Sequence, residues 1–299
     1  MKKIAASILG LSLSAFFLVS EASETWKAEI VKEIGTDKGK KSKAAKEAVS
    51  KEVQVVSKWE VPDILREVSG IAYLGPNRFA CIQDEQGTIF IYNTAAAKIE
   101  KEIDFAGPGD YEGIALVGKT AYVVRADGRL FEVNNIESAK PQVTEYGTPF
   151  TAENNIEGLG YDARNNRLLL AVKDRDSNSN AYKGIYSFDL ETKKLAATPV
   201  YKIDFGHPVF ATVQDNEKTM MPSEVQVHPV TGNVYVTDAK NAQIVVMDAQ
   251  GNIKNRYKIS KGDFYKAEGI TFSPAGELFI SNEGKKTKAN ILKVNIAGL

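Results

Sequence analysis

Five glutamates recur along the chain at Glu67, Glu112, Glu157, Glu224 and Glu268, spaced by 45, 45, 67 and 44 residues. Their settings are alike: Glu67-Val-Ser-Gly-Ile-Ala-Tyr, Glu112-Gly-Ile-Ala-Leu-Val, Glu157-Gly-Leu-Gly-Tyr-Asp, Glu224-Val-Gln-Val-His-Pro and Glu268-Gly-Ile-Thr-Phe-Ser-Pro. One Glu beside a glycine turn is ordinary structure. Five in phase, if they converge, repel one another and lose hydration, so something must offset them. A hard cation does this most simply. Calcium fits because it accepts six to eight oxygens in loose geometry. The set lacks soft ligands, which disfavours zinc and copper. Not all five need touch the ion, and protonated or water-solvated carboxylates in a wet channel are the alternative.

A second polar set follows each glutamate: Asp84 with Glu85, Arg125 with Asp127, Lys173 with Asp174, Asp238, and Asn282 with Glu283. Arg125 and Lys173 have the charge to hold an anion beside the cation, or to pair with the glutamates themselves. Asp174-Arg-Asp176-Ser-Asn178-Ser-Asn180 resembles the start of a calcium loop, but Ser179 and Ile185 stand where that pattern needs Gly and Glu, so a polar surface loop is expected. His207 and His228 have no partner in sequence that would make either a catalytic base. Nucleophile-elbow, P-loop and dinucleotide fingerprints are all absent.

The elements that must position these residues are strands. A period near 45 residues is the size of one four-stranded propeller blade. After each glutamate strand comes a turn: Gly75-Pro-Asn, Gly118-Lys, Arg164-Asn-Asn, Thr231-Gly-Asn or Pro274-Ala-Gly. Apolar strands beginning at Arg78, Thr120, Arg167, Val234 and Glu277 follow, then third strands near Thr88, Gly128, Gly184, Gln243 and Asn290. Fourth strands are expected at Lys101–Phe105, Gln142–Tyr146, Tyr201–Phe205 and Arg256–Ile259. The last unit lacks one, and an orphan strand at Val55–Val61 precedes the first. The expected fold is therefore all-β. It is a five-bladed β-propeller of four-stranded antiparallel blades, closed by the N-terminal strand pairing with the last blade. First strands line the axis, so the five glutamates face one another at one mouth, and the second polar set returns to that mouth. The long 157–224 interval holds an insertion, 206–222, read as a lid or partner-binding loop unless Phe210 and Met220-Met221 pack on the blades. A sixth blade there is the alternative.

The chain has 299 residues, with 38 Lys plus Arg against 38 Asp plus Glu. Zero formal charge argues against nucleic acid as a partner. The single Cys, Cys81, excludes an intrachain disulfide and a cysteine zinc site, and lies in an apolar run as a small buried hydrophobe. Residues 1–23 open with Lys2 and Lys3, then run apolar from Ile4 to Val19, reading as a secretory signal peptide. An uncleaved leader serving as an anchor is the alternative. Residues 24–52 are rich in Lys, Ala and Glu and read as a charged linker. The propeller spans 53–299. The expected location is periplasmic or secreted, the mature chain without a transmembrane span and monomeric.

With these residues in view, 53–299 resembles the SdiA-regulated family of bacterial extracytoplasmic proteins. The resemblance is carried by the SGI, EGI, EGL, SEV and EGI series and by Asp110-Tyr-Glu112-Gly-Ile-Ala. It also rests on His228-Pro-x-Thr-Gly before Tyr235-Val, and Ser273-Pro-x-Gly before Leu278-Phe-Ile-Ser-Asn-Glu. It implies a five-bladed propeller, distantly similar to NHL-repeat propellers, with a calcium site. A remoter similarity is to five-bladed calcium-dependent nucleotidases, although this chain has no dense basic mouth. Two functions stay open. One is a calcium-binding module for an envelope protein or a small anionic ligand. The other is a calcium-dependent hydrolase of a phosphate ester or lactone, with Glu112 or Glu157 orienting water and Arg125 or Lys173 holding the anion.

Overall fold

The computed structural model describes residues 52–176, 178–211, 219–285 and 287–297. The expected leader, the linker up to residue 51 and positions 212–218 of the insertion lie outside these residues.

Five antiparallel sheets follow one another in sequence. The first blade holds β2 (Val68–Gly75), β3 (Arg78–Gln83), β4 (Thr88–Asn93) and β5 (Lys98–Asp104). The second holds β6 (Tyr111–Val117), β7 (Thr120–Arg125), β8 (Leu130–Asn134) and β9 (Gln142–Tyr146). In the third, β10 (Ile156–Asp162), β11 (Arg167–Val172) and β12 (Tyr182–Asp189) are followed by a divided outer edge. There β13 (Lys194–Leu195) and β14 (Tyr201–Asp204) pair with different stretches of β12. The fourth holds β15 (Glu224–Val227), β16 (Val234–Asp238), β17 (Gln243–Met247) and β18 (Ile253–Lys258). The fifth holds β19 (Ala267–Phe272), β20 (Leu278–Asn282) and β21 (Asn290–Ile296), and its outer strand is β1 (Val53–Glu60) from the other end of the chain. That pairing runs from Val53 opposite Ile296 to Glu60 opposite Asn290 and closes the ring as the repeat implies. The 157–224 interval adds no sixth blade among the described residues.

Burial explains the apolar runs. Strands β11, β16 and β17 are buried almost throughout, because each inner strand is covered by a blade on either side. The outer strand β5 alternates instead, as an edge facing solvent must. Five separate apolar clusters fill the five spaces between neighbouring blades. Phe210 and Met220 from the insertion sit in the cluster between the third and fourth blades, so these residues pack on the blades. In every blade the turn after the first strand contains one left-handed residue: Asn77, Gly118, Asn166, Gly232 or Gly276.

Near the axis the first strands approach closely. A Cβ on Gly113 would lie 2.7 Å from Leu159 Cβ, and one on Gly158 would lie 2.8 Å from the Val225 nitrogen. Glycine there lets one blade's backbone press against the next.

Candidate functional site at the mouth of the ring

The residues beside those glycines define a deep tier of side chains. Strands β2, β6, β10 and β19 each break register just before a Gly-Ile or Gly-Leu pair. The residue preceding that glycine is Glu112 in β6, Glu157 in β10 and Glu268 in β19, and Glu224 opens β15. In β2 it is Ser69. The five-fold spacing groups Glu67 with the others, but register and burial set it apart. The first blade reads Glu-x-x-Gly where three others read Glu-Gly, so Glu67 is exposed two residues upstream of the buried Ser69.

Side chains two apart on a strand share a face. An upper tier therefore stands two residues before the deep one: Glu67, Asp110, Asn155, Pro222 and Lys266. Asn155 Nδ2 donates to Glu157 Oε1 and to Asp174 Oδ2, both at 3.0 Å. Lys266 Nζ lies 3.0 Å from Glu268 Oε1 and also pairs with Glu283. Asp110 stands close enough to Glu112 to push that carboxyl upward. Of this tier only Glu67 had a signal in the spacing. Asp110, Asn155 and Lys266 become legible only from the i, i+2 relation to a known deep residue.

The deep tier is crowded with negative charge. Burial and then the facing Glu157 push the Glu112 carboxyl up to about 10. Glu157 is pushed up to about 7 by burial, against the attraction of Lys173. Glu224, 1% exposed, is raised well above the usual carboxylate range by burial, although its Oε1 accepts the Val225 and Leu159 N–H groups. The charge of Glu268 reaches Glu112, Glu157 and Glu224 alike, so these four groups share one electrostatic neighbourhood.

Several oxygens here are buried and accept no hydrogen bond: Glu157 Oε2, Glu224 Oε2, Asn282 Oδ1 and Asp84 Oδ1. Leaving such acceptors dry costs about 1–3 kcal/mol each, more when charged. All are hard oxygen donors, of the kind calcium takes. As they stand, no three Asp, Glu, His or Cys among the described residues form a group that encloses a metal. The donor set thus fits calcium in kind, and the side chains would have to draw inward to close on it.

The second polar set divides by role. Lys173, directly after β11, pairs with Glu157 Oε1 and feels Glu268 and Glu112. Asn282, fully buried, donates to Asn290 Oδ1 at 3.1 Å. Asp84 follows β3, and its carboxyl is raised by burial and then by Glu67. Glu283 is engaged by Lys266, while Glu85 is exposed. Arg125 is committed elsewhere, through Nη2 and Nε to Asp127 at 2.7 and 3.0 Å. Asp238 is fully buried and saturated: its oxygens accept from Met221 N, Asn241 and Gln243 Nε2, anchoring the end of the insertion. Asp174 is exposed and holds Asn155.

In the Asp-rich loop, Asp176 accepts from Asn178 N, Gly184 N and Tyr186 Oη, which makes it a turn brace. His207 caps a short 3-10 turn through Nδ1. His228 lies at the other end of the first strands, its ring 4.9 Å from Phe272 and its Nδ1 accepting from Val230 and Thr231. Cys81 is fully buried, and burial pushes its thiol far up.

Comparison with known proteins agrees with this architecture. The SdiA-regulated family matches residues 46–286, and the chain belongs to that family. No curated protein matches it by sequence. Among solved structures, a glutaminyl cyclase from Myxococcus xanthus is 16% identical, with a TM-score of 0.57 over 82% of this chain and 96% of its own. The PQQ-bound aldose sugar dehydrogenase of Streptomyces coelicolor is 12% identical, with a TM-score of 0.52 over 82% of this chain and 98% of its own. At such identities the likeness is one of fold. No helix among the described residues is long and apolar enough to cross a membrane.

Proposed function

We propose that this SdiA-regulated propeller is a calcium-binding module that works outside the cytoplasm, presenting its upper mouth to a small anionic ligand or an envelope protein. The observation that carries this reading is the set of unpartnered oxygens on Glu157, Glu224 and Asn282 beside Glu268, whose Oε1 is paired with Lys266; the three glutamates are each at most 4% exposed. These four residues would hold the ion, with Asp84 at the rim and Glu112 joining on losing its proton. When bound, the cation supplies positive charge that lets converging carboxylates stay ionised in a dry site.

The protein's own groups prepare the place. Leu159 N–H and Val225 N–H fix one oxygen of Glu224, leaving the other buried without a hydrogen bond. Asn155 and Lys173 hold one oxygen of Glu157 in the same way. Arg125, bound to Asp127, is not aimed at a substrate, which favours binding over hydrolysis.

The test is calorimetry and thermal denaturation of chelator-treated protein titrated with calcium. A saturable heat and a raised melting temperature are expected, both lost in Glu224→Gln. Absence of both in the wild type overturns the reading. Chelator-sensitive turnover of a phosphate ester or lactone would move the assignment to the hydrolase.

A further inference from the structure

Among the described residues, four deep carboxylates, Glu112, Glu157, Glu224 and Glu268, face two ammonium groups, those of Lys173 and Lys266. Lys173 is drawn into the ring: its side chain is 19% exposed, against 5% for its partner Glu157. It is the more buried of the two cations, and it also feels Glu268 and Glu112. Lys266 bridges Glu268 and Glu283 from the upper tier. Both lysines stand where strands meet the mouth, one just after β11 and one just before β19.

A divalent ion carries the charge of both lysines together. It must compete with them for the same carboxylates, because Glu157 and Glu268 already spend an oxygen on an ammonium. Lysine suits such an exchange, having a point charge on a flexible four-carbon stem. Once the ion draws the oxygens of Glu157 and Glu268 to itself, Lys173 loses its carboxylate partner and Lys266 keeps only Glu283, so both ammonium groups gain charge to spare at the mouth. Arg125 does not take over their role, since Asp127 holds its guanidinium at two points.

On the calcium reading above, we infer that Lys173 and Lys266 are internal counter-ions displaced by the cation, and that once displaced they bind a small oxyanion such as a phosphate or carboxylate group. Cation and anion then bind with positive coupling. Each tightens the other by the same factor, as linkage requires. The mouth therefore takes an anionic ligand more tightly in the calcium-loaded protein than in the metal-free one.

The experiment titrates calcium into the chelator-treated full chain by calorimetry, with and without millimolar methylphosphonate. About fivefold or greater tightening by the anion is expected in the wild type. In Lys173→Met the competing charge is gone, so calcium should bind about tenfold tighter, and the anion should lose most of its effect. Lys266→Met, at a more exposed site, should move both quantities in the same directions by less, and it serves if Lys173→Met does not fold. Calcium binding that ignores methylphosphonate in the wild type overturns the inference and leaves the calcium reading standing. So does calcium binding unchanged or weakened in both lysine variants. No calcium binding in the wild type removes both.

Discussion

The same five strands build two unlike ends of one ring. Their N-terminal ends carry the carboxylates of the mouth. Their C-terminal ends line a cavity of about 300 Å³ whose walls include Tyr73, Leu116, Tyr161, His228 and Phe272. At the mouth, oxygens are buried without partners. At the lower end, polar groups are spoken for: Arg164 donates to the Val230 and Thr231 carbonyls, and Thr271 Oγ1 accepts from Tyr73 N. The two ends thus differ in how far the protein's own groups satisfy their polar atoms.

The contrast can be broken from the middle. Leu159 is fully buried between the second and third blades, next to the N–H that holds Glu224. Leu159→Ala should cost about 2–5 kcal/mol in urea unfolding and weaken the calcium response as well. If stability fell that far with the calcium response intact, the mouth would be shown to stand without this part of the ring.

Glu224→Gln sharpens the comparison at one end. Gln can keep accepting the two backbone N–H groups, so the metal-free protein should fold normally. At calcium 100-fold above its dissociation constant the wild type should gain about 2.7 kcal/mol, and the variant almost none. Denaturation with and without calcium reads the difference.

Acidity tests the mouth without mutation. In the metal-free protein, Glu157 is pushed up to about 7 and Glu112 to about 10, mainly by burial. Between an ordinary carboxylate value and these, the folded chain binds more protons than the unfolded chain. Metal-free stability should therefore fall as pH rises through the range from 5 to 8, by at most roughly 1.4 kcal/mol per pH unit for each carboxyl. Calcium binding expels those protons, so calcium should bind more tightly as pH rises. A metal-free melting temperature that climbs over this range would contradict the assignment.

The lower end should respond least. His228→Ala removes a ring packed on Phe272 and Tyr235 and two turn hydrogen bonds, for a loss of about 0.5–1.5 kcal/mol. Calcium titration should be unchanged.

Much of this was legible in the chain. The period of the glutamates, the hairpin turns and the missing last strand fix five blades and the closing role of β1. Spacing could not distinguish Glu67 from Ser69. Both lie on one strand face, and only the register break before Gly70 tells which one is deep. Nor could it show that Arg125 turns to Asp127 or that Asp238 serves the insertion, because those choices are made by local hydrogen bonds rather than by the repeat. Lys266 carries no signal in the sequence for a related reason: it is one cation in a chain with many, and only its place two residues before Glu268 gives it meaning.

The pairing of β1 with β21 has a further consequence for how the molecule is made. Val53 must wait for Ile296, so the ring stays open until nearly the whole propeller sequence is at hand. Contacts that distant in sequence make for slow folding. Until that final seam forms, the carboxylates of the first and last blades need not be held near each other. A finished mouth would then be a late product of folding, ready to take up its guest only when the circle is whole.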